Sequence, residues 1–147
     1  MSVDLKLKKL TAAEISRETH GELQIYNGAD SEKQQSAIST DSRESGEGVI
    51  FCAIKGQNVD GNDFIPSAVE AGADCFICQY VPEEAKKSGK PFCAIIVEDT
   101  IKAMGDLAAY YRGFSSAKFV AVTGSVGKTT TKEFIYAVAS ASFKTHK

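Results

Sequence analysis

Cys75-Phe76-Ile77-Cys78-Gln79-Tyr80-Val81-Pro82-Glu83-Glu84-Ala85-Lys86-Lys87-Ser88-Gly89-Lys90-Pro91-Phe92-Cys93-Ala94-Ile95-Ile96-Val97 decides the fold. Its two apolar runs, 75–79 and 92–97, have strand length and turn residues on their flanks. The segment 82–87 between them is polar, opens on Pro and reads as a short helix. A buried strand, a helix and a second buried strand predict a βαβ unit with a largely parallel sheet.

The same alternation continues in both directions. Downstream, Asp99 or Thr100 caps a helix carrying Ile101, Met104, Leu107, Ala108 and Tyr111 at helical spacing. Upstream, Thr11-Ala12-Ala13-Glu14 has the form of a capping box and opens a helix that ends near Gly21. Residues 23–26 form a short strand and 28–35 a polar loop. Two further strands, 36–41 and 49–54, are joined by the polar turn Glu44-Ser45-Gly46-Glu47-Gly48. Asp60-Gly61 marks a tight turn, after which Asp63 caps a helix with Phe64, Ile65, Ala68, Val69 and Ala71 on its apolar side, closed by Gly72. Near the end of the sequence a strand at 119–122 precedes a glycine-containing loop and a helix over 128–141. The small polar segment Arg112-Gly113-Phe114-Ser115-Ser116 is the candidate boundary. The expected class is α/β: a small mixed-sheet domain over residues 1–114, then the first strand, phosphate loop and helix of a parallel-sheet domain over 115–147.

Composition excludes several classes of function. The 147 residues carry 17 Lys+Arg against 19 Asp+Glu, a formal net charge of -2, with 43% apolar residues. That mixture is too apolar for a disordered chain, and it has no basic run to serve a nucleic-acid or membrane-surface module. No apolar stretch approaches the length needed to cross a bilayer. The start, Met1-Ser2-Val3-Asp4-Leu5-Lys6, lacks the apolar core of a secretory signal. The expectation is a soluble, cytoplasmic protein. Cys75 and Cys78 have C-x-x-C spacing, but inside a strand their side chains point to opposite faces. With Cys52 and Cys93, they read as small buried hydrophobes in a reducing compartment. His20 and His146 stand alone and support no metal cluster.

The strongest chemical signal is Ala121-Val122-Thr123-Gly124-Ser125-Val126-Gly127-Lys128-Thr129-Thr130-Thr131-Lys132. Glycines let a backbone turn so that several N–H groups aim at one anion, and the following helix adds its positive end. Lys128 is placed to reach β- and γ-phosphates, and the Thr129 hydroxyl to ligate Mg²⁺. The match to G-x-x-x-x-G-K-[ST] is incomplete, since Val122 occupies the first glycine position. The bland alternative is a strand-to-helix loop of small residues with a solvated Lys.

Thr123-Gly124-Ser125-Val126-Gly127-Lys128-Thr129-Thr130-Thr131-Lys132-Glu133 resembles the ATP loop of the Mur ligases, which has this shortened glycine spacing. Thr40-Asp41-Ser42-Arg43, Phe51-Cys52-Ala53-Ile54-Lys55-Gly56 and Asp60-Gly61-Asn62-Asp63-Phe64-Ile65 resemble the family's amino-terminal substrate domain, in the same order. The resemblance runs from residue 38 onward. Within the family, the Gly-Ser-x-Gly-Lys-Thr-Thr-x-Lys-Glu form is most similar to the branch that adds D-alanyl-D-alanine. The branch that adds the third peptide residue more often has Gly-Thr-Asn-Gly-Lys-Thr-Thr.

This resemblance implies an ATP-dependent ligase that joins D-alanyl-D-alanine to a UDP-N-acetylmuramoyl-tripeptide through an acyl phosphate. It implies that Gly124, Ser125, Val126, Gly127, Lys128, Thr129 and Thr130 hold ATP, with Lys128 catalytic and Thr129 on Mg²⁺. It also implies that Ser42, Arg43, Asn62 and Asp63 lie at the UDP-muramoyl end of the substrate. Without it, Asp41-Ser42-Arg43 reads as a polar turn with a local salt bridge. Asn62 stands where related sequences often have His, and Val49 where they often have Asp. The family's modified lysine, its further Mg²⁺ ligands and its carboxyl-terminal domain have no counterpart in these 147 residues. The chain is therefore expected to be an amino-terminal fragment, inactive alone. A small P-loop NTPase and a non-catalytic nucleotide-sugar-binding module are the other open readings.

Overall fold

The computed structural model describes residues 2–147, which divide into two compact units, one ending at Ser115 and the other covering Ser116–Lys147. In the first unit the strands are β1 (Val3–Asp4), β2 (Glu22–Tyr26), β3 (Ala37–Ser39), β4 (Val49–Cys52), β5 (Cys75–Cys78) and β6 (Phe92–Ile96). They form one mixed sheet in the order β1-β3-β4-β5-β6-β2. The four central strands are parallel, and β1 and β2 close the two edges antiparallel. The helices are α1 (Ala12–Thr19), α2 (Ile65–Glu70), α3 (Glu83–Lys87) and α4 (Thr100–Arg112).

Side-chain alternation along the strands divides the core in two. Ile50, Cys52, Cys75, Ile77, Cys93 and Ile95 face a layer containing Ile15 of α1 and Ala103 and Leu107 of α4. Phe51, Ala53, Phe76, Cys78, Phe92 and Ala94 face the opposite layer, with Ile65, Ala68 and Val69 of α2 and Ala85 of α3. Phe76 lies edge-on between Phe51 and Phe92, with ring centroids 6.2 and 5.5 Å away. Burial on both faces explains why these strands are almost purely apolar.

Cys75 and Cys78 fall on opposite layers, and all four cysteines are free and buried. Burial pushes the Cys52 and Cys78 thiols up to about 12 and the Cys93 thiol up to about 11, so little thiolate exists near neutrality. Treatment of the native protein with a thiol-reactive disulfide reagent at pH 8 should therefore modify almost nothing. All four cysteines should react once guanidinium unfolds it. Rapid labelling of the native protein would contradict this packing.

Helix ends follow local chemistry. Thr11 and Glu14 make the reciprocal capping box, with Glu14 N–H donating to Thr11 Oγ1 at 3.2 Å and Thr11 N–H to Glu14 Oε2 at 3.1 Å. Asp99 caps α4 through the N–H groups of Ile101 and Lys102, at 2.8 and 3.0 Å.

Five expectations need correction. β3 and β4 are parallel, so residues 40–48 form a return crossover containing a 3₁₀ turn, Ser42–Glu44, in place of a simple polar turn. Asp60, not Asp63, caps the segment before α2: its carboxylate accepts the Asn62 N–H at the start of a 3₁₀ turn, Gly61–Phe64, that feeds directly into the helix. The buried stripe of α4 runs through Thr100, Ala103 and Leu107, leaving Ile101 64% exposed, and Phe64 ahead of α2 is 40% exposed. Residues 119–122 form no strand. A strand is stabilised by its ladder, and among its described residues the second unit contains no strand with which to build one.

Gly61 marks a tight approach. A Cβ there would lie 2.6 Å from both the amide nitrogen and the carbonyl oxygen of Ile54. Backbone cannot yield as a flexible side chain does, so Gly61→Ala should destabilise the first unit by about 1–3 kcal/mol in urea unfolding. An unchanged midpoint would contradict the geometry.

The second unit consists of a segment leading into the glycine loop, then α5 (Lys128–Ser140) and a short turn. α5 buries no residue. Among the described residues, no helix is long and apolar enough to cross a membrane.

Candidate functional site

The glycine loop enters α5 through Gly127, which has φ 80° and leaves the helix N-terminus without a side-chain cap. Gly124 is also in the positive-φ region, at 144°. L side chains avoid both conformations, so the two glycines of the motif sit where the backbone requires them. Thr131 N–H is the donor to Gly127 O, at 2.9 Å, which closes the first helical turn. The amides ahead of it remain uncapped, the arrangement that favours an anion.

Lys128, the first residue of α5, folds its ammonium back onto the Gly124 carbonyl. That interaction brings the only cation of the loop beside both glycines. Ser125, Val126, Thr129 and Thr130 are exposed, Val126 at 90%. The donor set fits a nucleotide polyphosphate: uncapped amides, one ammonium and hydroxyls. The Thr129 hydroxyl is a hard oxygen of the kind that would suit Mg²⁺ alongside phosphate and water. Lys132 and Glu133 are solvated helix residues, 3.8 Å apart. Among the described residues, no group of three or more His, Cys, Asp or Glu side chains could hold a metal ion.

In the first unit, the other candidate residues lie beyond the carboxyl ends of the parallel strands. Ser42 and Arg43 open the 3₁₀ turn after β3. Arg43 pairs with Asp41, Nη2 to Oδ2 at 2.6 Å and Nε to Oδ1 at 2.9 Å. The guanidinium, and then the Arg43 backbone N–H, hold the Asp41 carboxyl well below the usual carboxylate range. This is the local salt bridge that the sequence allows, and the Arg43 side chain remains 86% exposed. Its outward face is free to meet an anion.

Asn62 is different. It is fully buried: its Nδ2 donates to Asp60 Oδ1 at 2.5 Å, and its Oδ1 accepts the Gln79 N–H at 3.0 Å. Its side chain ties the turn after β4 to the end of β5. Asp63 is exposed and accepts the Tyr80 hydroxyl at 3.2 Å. The structure brings Asn62 and Asp63 into one turn, with only Asp63 facing outward. Asp41 and Asp60, read from sequence as turn residues, order both turns by accepting the N–H two residues on, at 3.0 and 2.9 Å. The signal was present as Asp at position i of an Asx turn. Gln79 and Tyr80 carried no motif.

A model of the Mur ligase family, catalytic domain, matches residues 35–112. The UDP-N-acetylmuramoyl-tripeptide–D-alanyl-D-alanine ligase of Synechocystis sp. is 41% identical over 110 residues, 75% of this chain and 24% of that protein. The UDP-N-acetylmuramoyl-L-alanyl-D-glutamate–2,6-diaminopimelate ligase of Chlorobium phaeobacteroides is 36% identical over 81% of this chain and 23% of its own length. Among solved structures, MurF from Acinetobacter baumannii matches with TM-score 0.76 and 32% identity, covering 92% of this chain and 28% of that one. MurF ligase from Thermotoga maritima in complex with ADP matches at 0.61 and 35%, over 71% of this chain and 23% of its own. The chain spans about a quarter of the length of the curated relatives it matches. With more than half its residues under the family model and a relative this similar along three quarters of it, the chain belongs to the Mur ligase family.

Proposed function

We propose that this chain supplies the UDP-muramoyl-peptide-binding part and the opening of the ATP site of a cytoplasmic, MurF-type ligase. Residues 1–114 take the UDP-linked peptide, and residues 115–147 begin the ATP-binding domain. The observation that carries this reading is the 41% identity to the Synechocystis ligase, joined to a glycine loop whose backbone fits phosphates. In the reaction, the γ-phosphoryl of ATP passes to the terminal carboxylate of UDP-N-acetylmuramoyl-tripeptide, and ADP leaves. The amine of D-alanyl-D-alanine then attacks the acyl carbon, losing a proton as inorganic phosphate departs.

Lys128 and the loop amides hold the polyphosphate and offset its charge, and Thr129 contributes one oxygen to Mg²⁺, which supplies Lewis acidity at the phosphates. Arg43 and Ser42, with Asp63, meet the UDP-muramoyl end, while Asn62 shapes that turn from within. Ligation also needs the parts of the relatives that lie outside the matched quarter, so this chain alone is not expected to ligate.

A ligase that adds diaminopimelate is the second reading, favoured by the Chlorobium relative. Separate NMR titrations of the 147-residue chain test the two-site assignment. UDP should move the amides of residues 40–43 and 60–63, and Mg-ADP those of 123–130. Shifts from both nucleotides in the glycine loop alone would point to a plain P-loop NTPase. Shifts from UDP alone would point to a nucleotide-sugar-binding module.

A further inference from the structure

We propose that Tyr80 is the platform on which the nucleobase of the UDP-linked substrate stacks, a role that rests on the reading of residues 1–114 as the UDP-substrate part. The chain leaves β5 for α3 on one face of the sheet, and it leaves β6 for α4 on the other. Two neighbouring parallel strands whose exits diverge leave a crevice at their carboxyl ends, where open α/β sheets take their ligands. A depression of about 600 Å³ opens there, lined by Lys55, Gln79, Glu98 and the first turn of α4.

Tyr80 directly follows Gln79, which lines this depression, at the carboxyl end of β5. Gln79 is fixed twice: its N–H donates to buried Asn62, and its Nε2 donates to Glu98 O at 2.8 Å. The Tyr80 hydroxyl is held by Asp63, yet the residue stays 45% exposed. Burial, then the negative charges of Asp60 and Asp63, push its pKa above that of a free phenol, so the ring stays neutral. A half-exposed ring anchored by its polar tip is ordered before any ligand arrives, which lowers the entropic cost of stacking a base on it.

The charge needed beside a nucleobase is at the same end of the sheet. Lys55 lines the depression, is 67% exposed and sits 3.9 Å from Asp60, a loose pairing that leaves its ammonium available to a diphosphate. The helix end does not fill that role, because Asp99 already accepts the first free amides of α4.

Calorimetry and saturation-transfer NMR with UDP on the full 147-residue chain test the proposal through Tyr80→Leu and Tyr80→Phe, with melting curves for each. Tyr80→Leu keeps apolar bulk and should weaken UDP binding about tenfold or more, as expected for a lost base–aromatic stack. Saturation of the uracil H5 and H6 protons should fall relative to ribose H1′. Tyr80→Phe keeps the ring and should stay within about threefold of the parent. Equal UDP affinity in Tyr80→Leu, or a uniform loss of saturation across base and ribose, would overturn the platform while leaving the UDP-domain reading intact. No UDP binding by the parent chain would overturn that reading, and the platform with it.

Discussion

On the proposed reading, Lys128→Ala in the whole gene product should lower the rate of ligation by a factor on the order of 10³ or more and leave affinity for the UDP-linked substrate unchanged. The loop has no other cation, since the remaining donors at its helix entrance are backbone amides and hydroxyls. A preorganised charge aimed at a transferring phosphoryl group acts mainly in the transition state, and its removal costs turnover before binding. Without a ligand, the Lys128 ammonium rests on the Gly124 carbonyl. Phosphate oxygens offer it a stronger, charge-assisted partner within the same loop. Steady-state ADP release and calorimetry with UDP-N-acetylmuramoyl-tripeptide check the two halves. Substantial residual ligation would remove Lys128 from the reaction, and a parallel loss of UDP-substrate affinity would mean that the two sites are not separate.

The second large effect is on stability. Phe76 is fully buried on a central strand, with edge contacts to Phe51 on β4 and Phe92 on β6. Tyr26 stacks on Phe92 at 4.6 Å, so the aromatic row reaches the edge strand β2. Phe76→Ala removes the middle ring and leaves a cavity that two fixed backbones and α2 cannot collapse to fill. The expected loss is about 3–5 kcal/mol, a large part of the roughly 5–15 kcal/mol that holds a domain of this size folded. Urea unfolding followed by far-UV circular dichroism measures it. A loss below about 1 kcal/mol would mean that the site relaxes, against the close packing described here.

What the sequence made legible is what local chemistry determines. The apolar runs at 75–79 and 92–97, the box at Thr11 and Glu14, and Asp99 at the head of α4 each state their structure within a few residues. The same holds for Gly124 and Gly127, because a positive φ leaves its mark on residue type. What was not legible depends on partners far along the chain. A polar linker of nine residues between β3 and β4 serves a hairpin or a parallel return, and only pairing in the sheet decides between them. Residues 119–122 have strand composition, but composition cannot supply a neighbouring strand. Ile101 has the spacing of a core residue, yet the rotation of α4 on the sheet turns that position outward. The substrate end divides the same way. The resemblance marks Asn62 and Asp63 as a pair, while the bond from Gln79 N–H, 17 residues on, draws Asn62 inward. Tyr80 escaped because a tyrosine after a buried strand reads as an ordinary strand end; its exposed ring and anchored hydroxyl are visible only in three dimensions.

The most direct test of the central claim is ADP release by the uninterrupted gene product, given Mg-ATP and UDP-N-acetylmuramoyl-tripeptide, with and without D-alanyl-D-alanine. Release that depends on the dipeptide is the expected result. No release, or release driven instead by diaminopimelate or lysine with the shorter muramoyl dipeptide, would contradict the MurF-type assignment.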